Sequence, residues 1–412
     1  MPQITKRTNK DGGLSFLIRV SDGYGSDGRQ RKKSMTWVPP VGMSEQKAEK
    51  EAAKEATRFE DSVKAGAVAD SSIKFQEFTE RFIKEYAKLQ LKIKTWTDYI
   101  EKLERINQAI GHIKLKDLRT GHLNKFYFDL QEDGLNKKTG GRLSAKTIHG
   151  LHRVISTVLN KAVKWQYIPF SPAVNAELPR LENKEAAYLD EKDARRLLEL
   201  LHDEPIKWRA AITFDLLSGL RRGELLGLRW QDVDFETETI NIVQASQYVS
   251  GFGVFVDTPK NKTSSRPMKL SRSAFILLRE YQTWQQEQRE ICGSYWKDVD
   301  GRIFTTEEGK PIHPDSLTKW LGKFIKRAGL PHASVHSLRH TYASLMIADG
   351  TPLVVVSKRL GHAQVSTTAN IYAHVIQSAD EKAAQVTERF ADVITRTTEE
   401  RKTETKHLKL VQ

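Results

Sequence analysis

The sequence predicts a multidomain protein of mainly α class with small β-sheets (α+β), and three observations carry that expectation. At 412 residues the chain is longer than one hydrophobic core usually serves. Apolar residues recur at helical spacing through most of it, while strand-like runs are short and confined to two places. The stretch YIPFSPAVNAELPRLENKEAA (Tyr167–Ala187) is proline-rich and has no apolar period, as an interdomain linker does. The expected division is residues 1–68, a small sheet plus helix; 72–168, a helical domain; 169–187, a linker; 188–395, a mixed but mostly helical unit; and 396–412, a tail.

Taken in order, LSFLIRVS (Leu14–Ser21) and QRKKSMTWV (Gln30–Val38) have β-like composition and flank the turn-rich DGYGSDGR, which predicts a hairpin. Arg29, Arg31, Lys32 and Lys33 crowd the start of its second strand, and Phe16 and Trp37 are available to pack one face. A helix rich in Ala, Glu and Lys follows from about Ser44 to Val63. So small a basic sheet either reads a DNA groove or is a solvated edge. In the next unit Ser144 caps a helix whose Ile148, Leu151, Ile155, Leu159 and Ala162 form one buried stripe, leaving Lys146 and Arg153 off it. Another helix starts near Lys94 and Thr95, with Tyr99, Leu103 and Ile106 inward and Lys92 outward. A four-helix domain with a positive outer surface results, and contact with a DNA backbone is its natural use. After the linker, Asp190 caps a helix whose Ala194, Leu197, Leu198 and Leu201 begin the second globular unit.

Composition narrows the partners. A net charge of +14, spread through every segment, favours a polyanion, because neutralising phosphates releases counterions. Cys292 is the only cysteine, which excludes an intrachain disulfide and a multi-cysteine zinc site. With no run long enough to span a bilayer and no apolar core near the N-terminus, no membrane role and a cytoplasmic location are expected. The G-x-x-x-x-G-K-[ST] nucleotide loop is absent, and neither metal nor cofactor is expected.

The chemistry-bearing segments lie in the second unit. SGLRRGELLGLRWQDVDF (Ser218–Phe235) reads as a Ser-Gly turn feeding a short helix, with Arg221 near its start, where free backbone N–H groups already favour an anion. A guanidinium there adds a fork for two phosphate oxygens, and Glu224, three residues on, can orient it. The polar turn PKNKTSS places Lys260 and Lys262 at a hairpin tip within reach of a neighbouring cleft. In VHSLRHTYASLMIADG, His336 and Arg339 project from one face of a helix. In RLGHAQVSTTANIYAHV a helix stops at Gly361, His362 follows on the turn, and Ser366 or Thr367 caps a short helix bearing Tyr372.

Taken together, the order Arg, Lys, H-x-x-R, His, Tyr resembles the signature of the tyrosine recombinase family, which includes the integrases of temperate phages and conjugative transposons. SGLRRGELLGLRW, HSLRHTYAS and LGHAQVSTTANIY resemble its conserved boxes in spacing and in flanking apolar positions. The resemblance implies that Arg221 and Arg339 clamp a scissile phosphate and that Tyr372 attacks it. It further implies that Lys262 protonates the leaving 5′ oxygen, His336 assists proton transfer, His362 hydrogen-bonds a non-bridging oxygen and Glu224 supports. Chemistry agrees: ionising a free tyrosine at pH 7 costs roughly 4 kcal/mol, which converging guanidiniums can offset.

The family likeness also implies a core-binding helical domain (Lys92, Lys94, Thr95, Lys146, Arg153) and an arm-binding N-terminal domain (Arg29, Arg31, Lys32, Lys33). The likeness further implies that a helical stripe of Ala379, Ala383, Val386, Phe390 and Ile394 docks on a neighbouring subunit in a tetramer, the alternative being a helix packed on its own domain. Double-stranded DNA with core and arm sites is the implied partner, with an excisionase and a host DNA-bending protein beside it in a bacterial nucleoid. Relaxation by a type IB topoisomerase and a non-catalytic regulator on the same fold are the competing functions.

Overall fold

The computed structural model describes residues 2–8, 13–24, 28–40, 42–64, 72–136, 139–182, 187–257, 265–373 and 391. The chain divides into two compact units, Met1–Glu182 and Asn183–Gln412.

The first unit opens with three antiparallel strands in the order β1 (Gln3–Thr8), β2 (Leu14–Tyr24) and β3 (Gln30–Trp37). The expected hairpin is therefore part of a larger sheet: β1 adds an edge strand, with Ile4 opposite Ile18 and Thr5 opposite Leu17. Helix α1 (Glu45–Lys64) covers one face. Its Ala48, Ala52, Ala56, Phe59 and Val63 are buried against the alternating Phe16, Ile18 and Val20 of β2. Trp37 stacks on Phe16 at a tilt, with 5.8 Å between ring centroids.

Register separates the basic residues of β3. Lys33 pairs with Val20 and so shares the α1 side with Met35 and Trp37, and it forms an ion pair with Asp22 at 3.3 Å. Lys32 pairs with Ser21, on the opposite face. Arg31 has the parity of Lys33, so the four cations expected to act together, Arg29 among them, do not form one face.

A helical bundle follows. It comprises α2 (Phe75–Phe82), which runs through a π-helical turn (Ile83–Ala87) into α3 (Lys88–Gln90), then α4 (Ile93–Ile110), α5 (Thr120–Asp129) and α6 (Ala145–Lys164). Ser144 caps α6 by accepting from the Thr147 N–H, and Ile148, Leu151, Val154, Ile155, Val158, Leu159 and Ala162 are all buried. Each of the larger side chains contributes about 1.5–3 kcal/mol of burial, which makes α6 the spine of this core. Lys94, Lys146 and Arg153 stay exposed, and Lys92 and Thr95 are half-buried at the start of α4.

The second unit contains α7 (Glu191–Leu201), α8 (Ile206–Ser218), α9 (Arg222–Gly227), α10 (Arg272–Cys292), α11 (Pro314–Arg327), α12 (Val335–Ala348), α13 (Leu353–Leu360) and α14 (Val365–Ile371). Two small antiparallel sheets accompany them. One has the order β4 (Val233–Asp234), β5 (Thr239–Ile242), β8 (Arg266–Lys269); the other pairs β6 (Ala245–Val249) with β7 (Gly253–Asp257). Asp190 caps α7 as expected, accepting from the Asp193 N–H at 2.7 Å. Helices α8 and α12 lie deepest, with buried residues on every side: Ala210, Ile212, Phe214 and Leu216 on one, Val335, Leu338, Thr341 and Ala343 on the other. Among the described residues no helix is long and apolar enough to cross a membrane.

Candidate active site

The site is built where helices stop. Helix α8 ends at Ser218, and Gly219 turns the chain with φ 61°. A Cβ at Gly219 would collide with the Tyr342 ring, so both the left-handed backbone and the available space call for glycine. The turn delivers Arg221 to the N-cap of α9. Glu224, one turn on, accepts from the Arg221 backbone N–H at 3.1 Å through Oε2 and from its guanidinium at 2.7 Å through Oε1. Its Oε2 also accepts from Arg266 Nη2 at 3.2 Å. Burial alone would push this carboxyl up, but Arg266 and Arg221 together outweigh it and hold Glu224 below the usual carboxylate range.

Arg339, in the first turns of α12, is 2% exposed. Its Nη1 donates to the Gly219 carbonyl at 2.9 Å, and its Nη2 donates to the Leu360 carbonyl at 2.5 Å and lies 3.0 Å from His362 Nε2. Arg221 Nη2 donates to the Gly361 carbonyl at 2.9 Å. Both guanidiniums thus meet the end of α13, taking carbonyls that a helix terminus leaves without intrahelical partners. Gly361 allows this with φ 64°, and a Cβ there would lie 2.6 Å from Arg266 Nη1.

Positive charge gathers in this cluster. Arg221 and Arg266 both pair with the Glu224 carboxylate, whose charge also acts on Arg339. Asp215 on α8 is 0% exposed, and burial pushes its carboxyl well up against the pull of Arg339. Burial and the neighbouring Arg221 lower Arg339 to about 10, still charged at neutral pH.

His362 is held down to about 4 by burial and by Arg339, Arg221 and Arg266. A guanidinium can only donate, so Nε2 of the neutral ring accepts from Arg339. Nδ1 then carries the proton and donates to Thr368 Oγ1 at 2.8 Å, a tautomer assigned from its partners. That contact fixes α14, whose N-cap is Gln364, not the expected Ser366 or Thr367.

Tyr372 forms the C-cap of α14 and is 1% exposed, packed with Tyr342, Ala343, Ile347, Val356 and Leu360. Its phenol oxygen lies 2.8 Å from Nδ1 of His340. Burial pushes the phenol up to about 12, against the pull of Arg339. His340 in turn meets His336 edge-on, with 4.7 Å between ring centroids. His336 is lowered by burial, Arg339 and Arg221.

Of the expected residues, Arg221 bonds Glu224 and Arg339 bonds His362, the two pairs meeting at the Gly361 and Leu360 carbonyls, while His340 links Tyr372 by a hydrogen bond and His336 by a ring contact. Lys262, Lys260 and the Ala379–Ile394 stripe lie outside the described residues. The expectation of a hairpin around PKNKTSS is corrected by the flanking strands: β7 pairs with β6, whereas β8 pairs with β5.

Sequence reasoning missed His340 and Arg266. His340 carried a readable signal, since it lies four residues after His336 on the same helix face. Arg266 carried none, because its partner Glu224 is distant in sequence and only the fold joins them. Among the described residues no group of acidic, His or Cys side chains could hold a metal ion.

Known proteins share this arrangement of units. The phage integrase family profile matches residues 187–378, and the phage integrase SAM-like domain profile matches residues 74–178. A tyrosine recombinase XerC-like protein of Caldanaerobacter subterraneus subsp. tengcongensis is 28% identical over 404 residues, covering 93% of this chain and 98% of that protein. The Tn1549 transposon integrase, solved in complex with transposon right end DNA, is similar in fold, with a TM-score of 0.64 and 20% identity over 77% of this chain and 99% of that one. A lambda integrase tetramer bound to a Holliday junction gives a TM-score of 0.51 at 15% identity, over 88% and 94% of the two chains. With both profiles in the expected order and a full-length relative beside them, the chain belongs to the phage integrase family of tyrosine recombinases.

Proposed function

We propose that this recombinase integrates and excises a mobile element by cutting DNA through Tyr372, and that the cationic cluster around residues 360–362 is its scissile-phosphate site. The observation that carries this reading is the convergence of two guanidiniums, Arg221 and Arg339, on the Gly361 and Leu360 carbonyls beside His362. A phosphodiester brings an anion to that point, accepting from Arg221 and Arg339 and pulling both away from the carbonyls they now occupy. The same fork stabilises the charge of the pentavalent transition state.

In this scheme the Tyr372 oxygen bonds to phosphorus, the 5′ oxygen leaves with a proton from Lys262, and His336 assists proton transfer. His362 turns a ring N–H toward a non-bridging oxygen, and Glu224 keeps Arg221 and Arg266 in place. The 3′-phosphotyrosine conserves the bond energy, so a 5′ hydroxyl from another strand reverses the step and completes an exchange. Core sites fall to the helical domain through Lys92, Lys94, Thr95, Lys146 and Arg153. Arm sites fall to the N-terminal sheet, with Lys32 on the face away from α1. A tetramer on paired sites, with an excisionase and a bending protein setting direction, completes the reading.

A supercoiled plasmid carrying the two DNA ends that flank this gene in its element provides the test. Release of a smaller circle with a joined junction is the expected product. Relaxed topoisomers without deletion would replace this reading with a topoisomerase, and tight binding with unaltered DNA would replace it with a regulator.

A further inference from the structure

We infer that His340 is the direct proton acceptor of the Tyr372 nucleophile, a catalytic residue additional to the six assigned above; the inference rests on the assignment of Tyr372. The geometry is specific. His340 Nδ1 lies 2.8 Å from the phenol oxygen, and the rings sit 5.6 Å apart. Tyr372 is 1% exposed, so bulk water is not there to take its proton. Among the described residues His340 is the one side chain within hydrogen-bond reach of that oxygen. His336, assigned to proton transfer by resemblance, touches the edge of the His340 ring instead.

The protonation states fit an acceptor. His340 is pushed down to about 4, by burial first and then by His336 and Arg339 on its own helix. His362, on the turn before α14, and Tyr372 itself complete its titratable surroundings. The ring is therefore neutral at physiological pH, and the phenol, held at about 12, is the donor. Donation to Nδ1 leaves the proton on Nε2 and turns the phenol proton toward the histidine, keeping oxygen lone pairs free for phosphorus.

Because the phenol is far less acidic than the imidazolium, no ion pair forms at rest. The proton crosses as the P–O bond forms and the phenol oxygen becomes acidic. In that step Oη–H and P–O5′ break, Oη–P and Nδ1–H form, and the 5′ oxygen takes a proton from a separate acid, assigned to Lys262. Religation returns the Nδ1 proton to Oη.

Single-turnover cleavage of a nicked suicide duplex by full-length protein tests this with His340→Phe, His340→Asn and Tyr372→Phe. Asparagine can accept the phenol hydrogen bond but cannot take the proton. Both His340 variants should bind the duplex as tightly as wild type and cleave on the order of 100-fold more slowly at neutral pH, the range of general-base effects. Their rates should climb about tenfold per pH unit above neutrality as hydroxide takes over, while wild type stays flat. A substrate with a bridging 5′ sulfur, which leaves without a proton, should not rescue them. Wild-type rates in His340→Asn would overturn proton transfer in favour of mere positioning. Faster cleavage in His340→Phe, or full rescue by the sulfur substrate, would overturn the assignment. An adduct surviving in Tyr372→Phe is a different outcome, which removes the nucleophile assignment itself.

Discussion

The guanidinium pocket and the nucleophile helix stand side by side and are held by different means. Arg339 is buried and donates to two backbone carbonyls, and Arg221 and Arg266 share one buried carboxylate. The nucleophile follows a seven-residue helix held by the hydrogen bonds of His362 with Thr368 and of His340 with Tyr372, and its ring packs among Tyr342, Ala343, Ile347, Val356 and Leu360. The guanidiniums are thus part of the fold's own hydrogen bonding, whereas the nucleophile is held by an apolar cluster and two imidazoles. Donors gathered before a substrate arrives need little further ordering, although each exchanges a backbone carbonyl for the phosphate.

Removing the pocket's centre should produce the largest effect. Arg339→Ala should lower cleavage on the order of 10²–10³-fold, the usual loss for one transition-state donor. It should also destabilise the fold by about 2–5 kcal/mol, because the buried Gly219 and Leu360 carbonyls lose their donor. Arg221→Ala should lose as much cleavage and less stability, since its side chain is 40% exposed. Denaturant melts beside suicide cleavage would show whether the two arginines separate in this way; equal melting would erase the distinction between them.

Glu224→Gln leaves two guanidiniums without their counter-charge and should destabilise by about 3–5 kcal/mol. The pH dependence follows from its depressed carboxyl. A folded value below the unfolded one contributes stability that is complete above the unfolded carboxylate range and lost as pH falls through the folded value. The gap between wild type and Glu224→Gln should therefore narrow on acidification, and a gap that widened would contradict the bridge. Smaller still, Gly361→Ala should cost about 1–3 kcal/mol, because φ 64° is strained for alanine and the new methyl meets Arg266. Cleavage should fall with it, since the carbonyls on either side hold both arginines.

The helix boundaries here were legible because their signals are local. Ser144 and Asp190 cap through the next turn, and Gly361 is a left-handed stop, so neighbouring residues suffice to find them. Strand β1 was not legible: all six of its residues are exposed, and the backbone ladder to β2 holds it without any apolar alternation. The pairing of β8 with β5 instead of β7 was hidden for a related reason, since strand composition does not name a partner. Most of the site could be read because family-like spacing marks Arg221, His336, Arg339, His362 and Tyr372. Its electrostatics could not, because they depend on contacts such as Arg266 with Glu224 and on a tyrosine buried to 1% exposure.

Identifying the amino acid joined to DNA is the most direct test of the account. Wild-type protein trapped on a nicked duplex, digested and sequenced by mass spectrometry, should carry the 3′-phosphoryl nucleotide on Tyr372 and on no other residue. Attachment at a different side chain, or efficient strand exchange with no protein–DNA bond at any time, would contradict it.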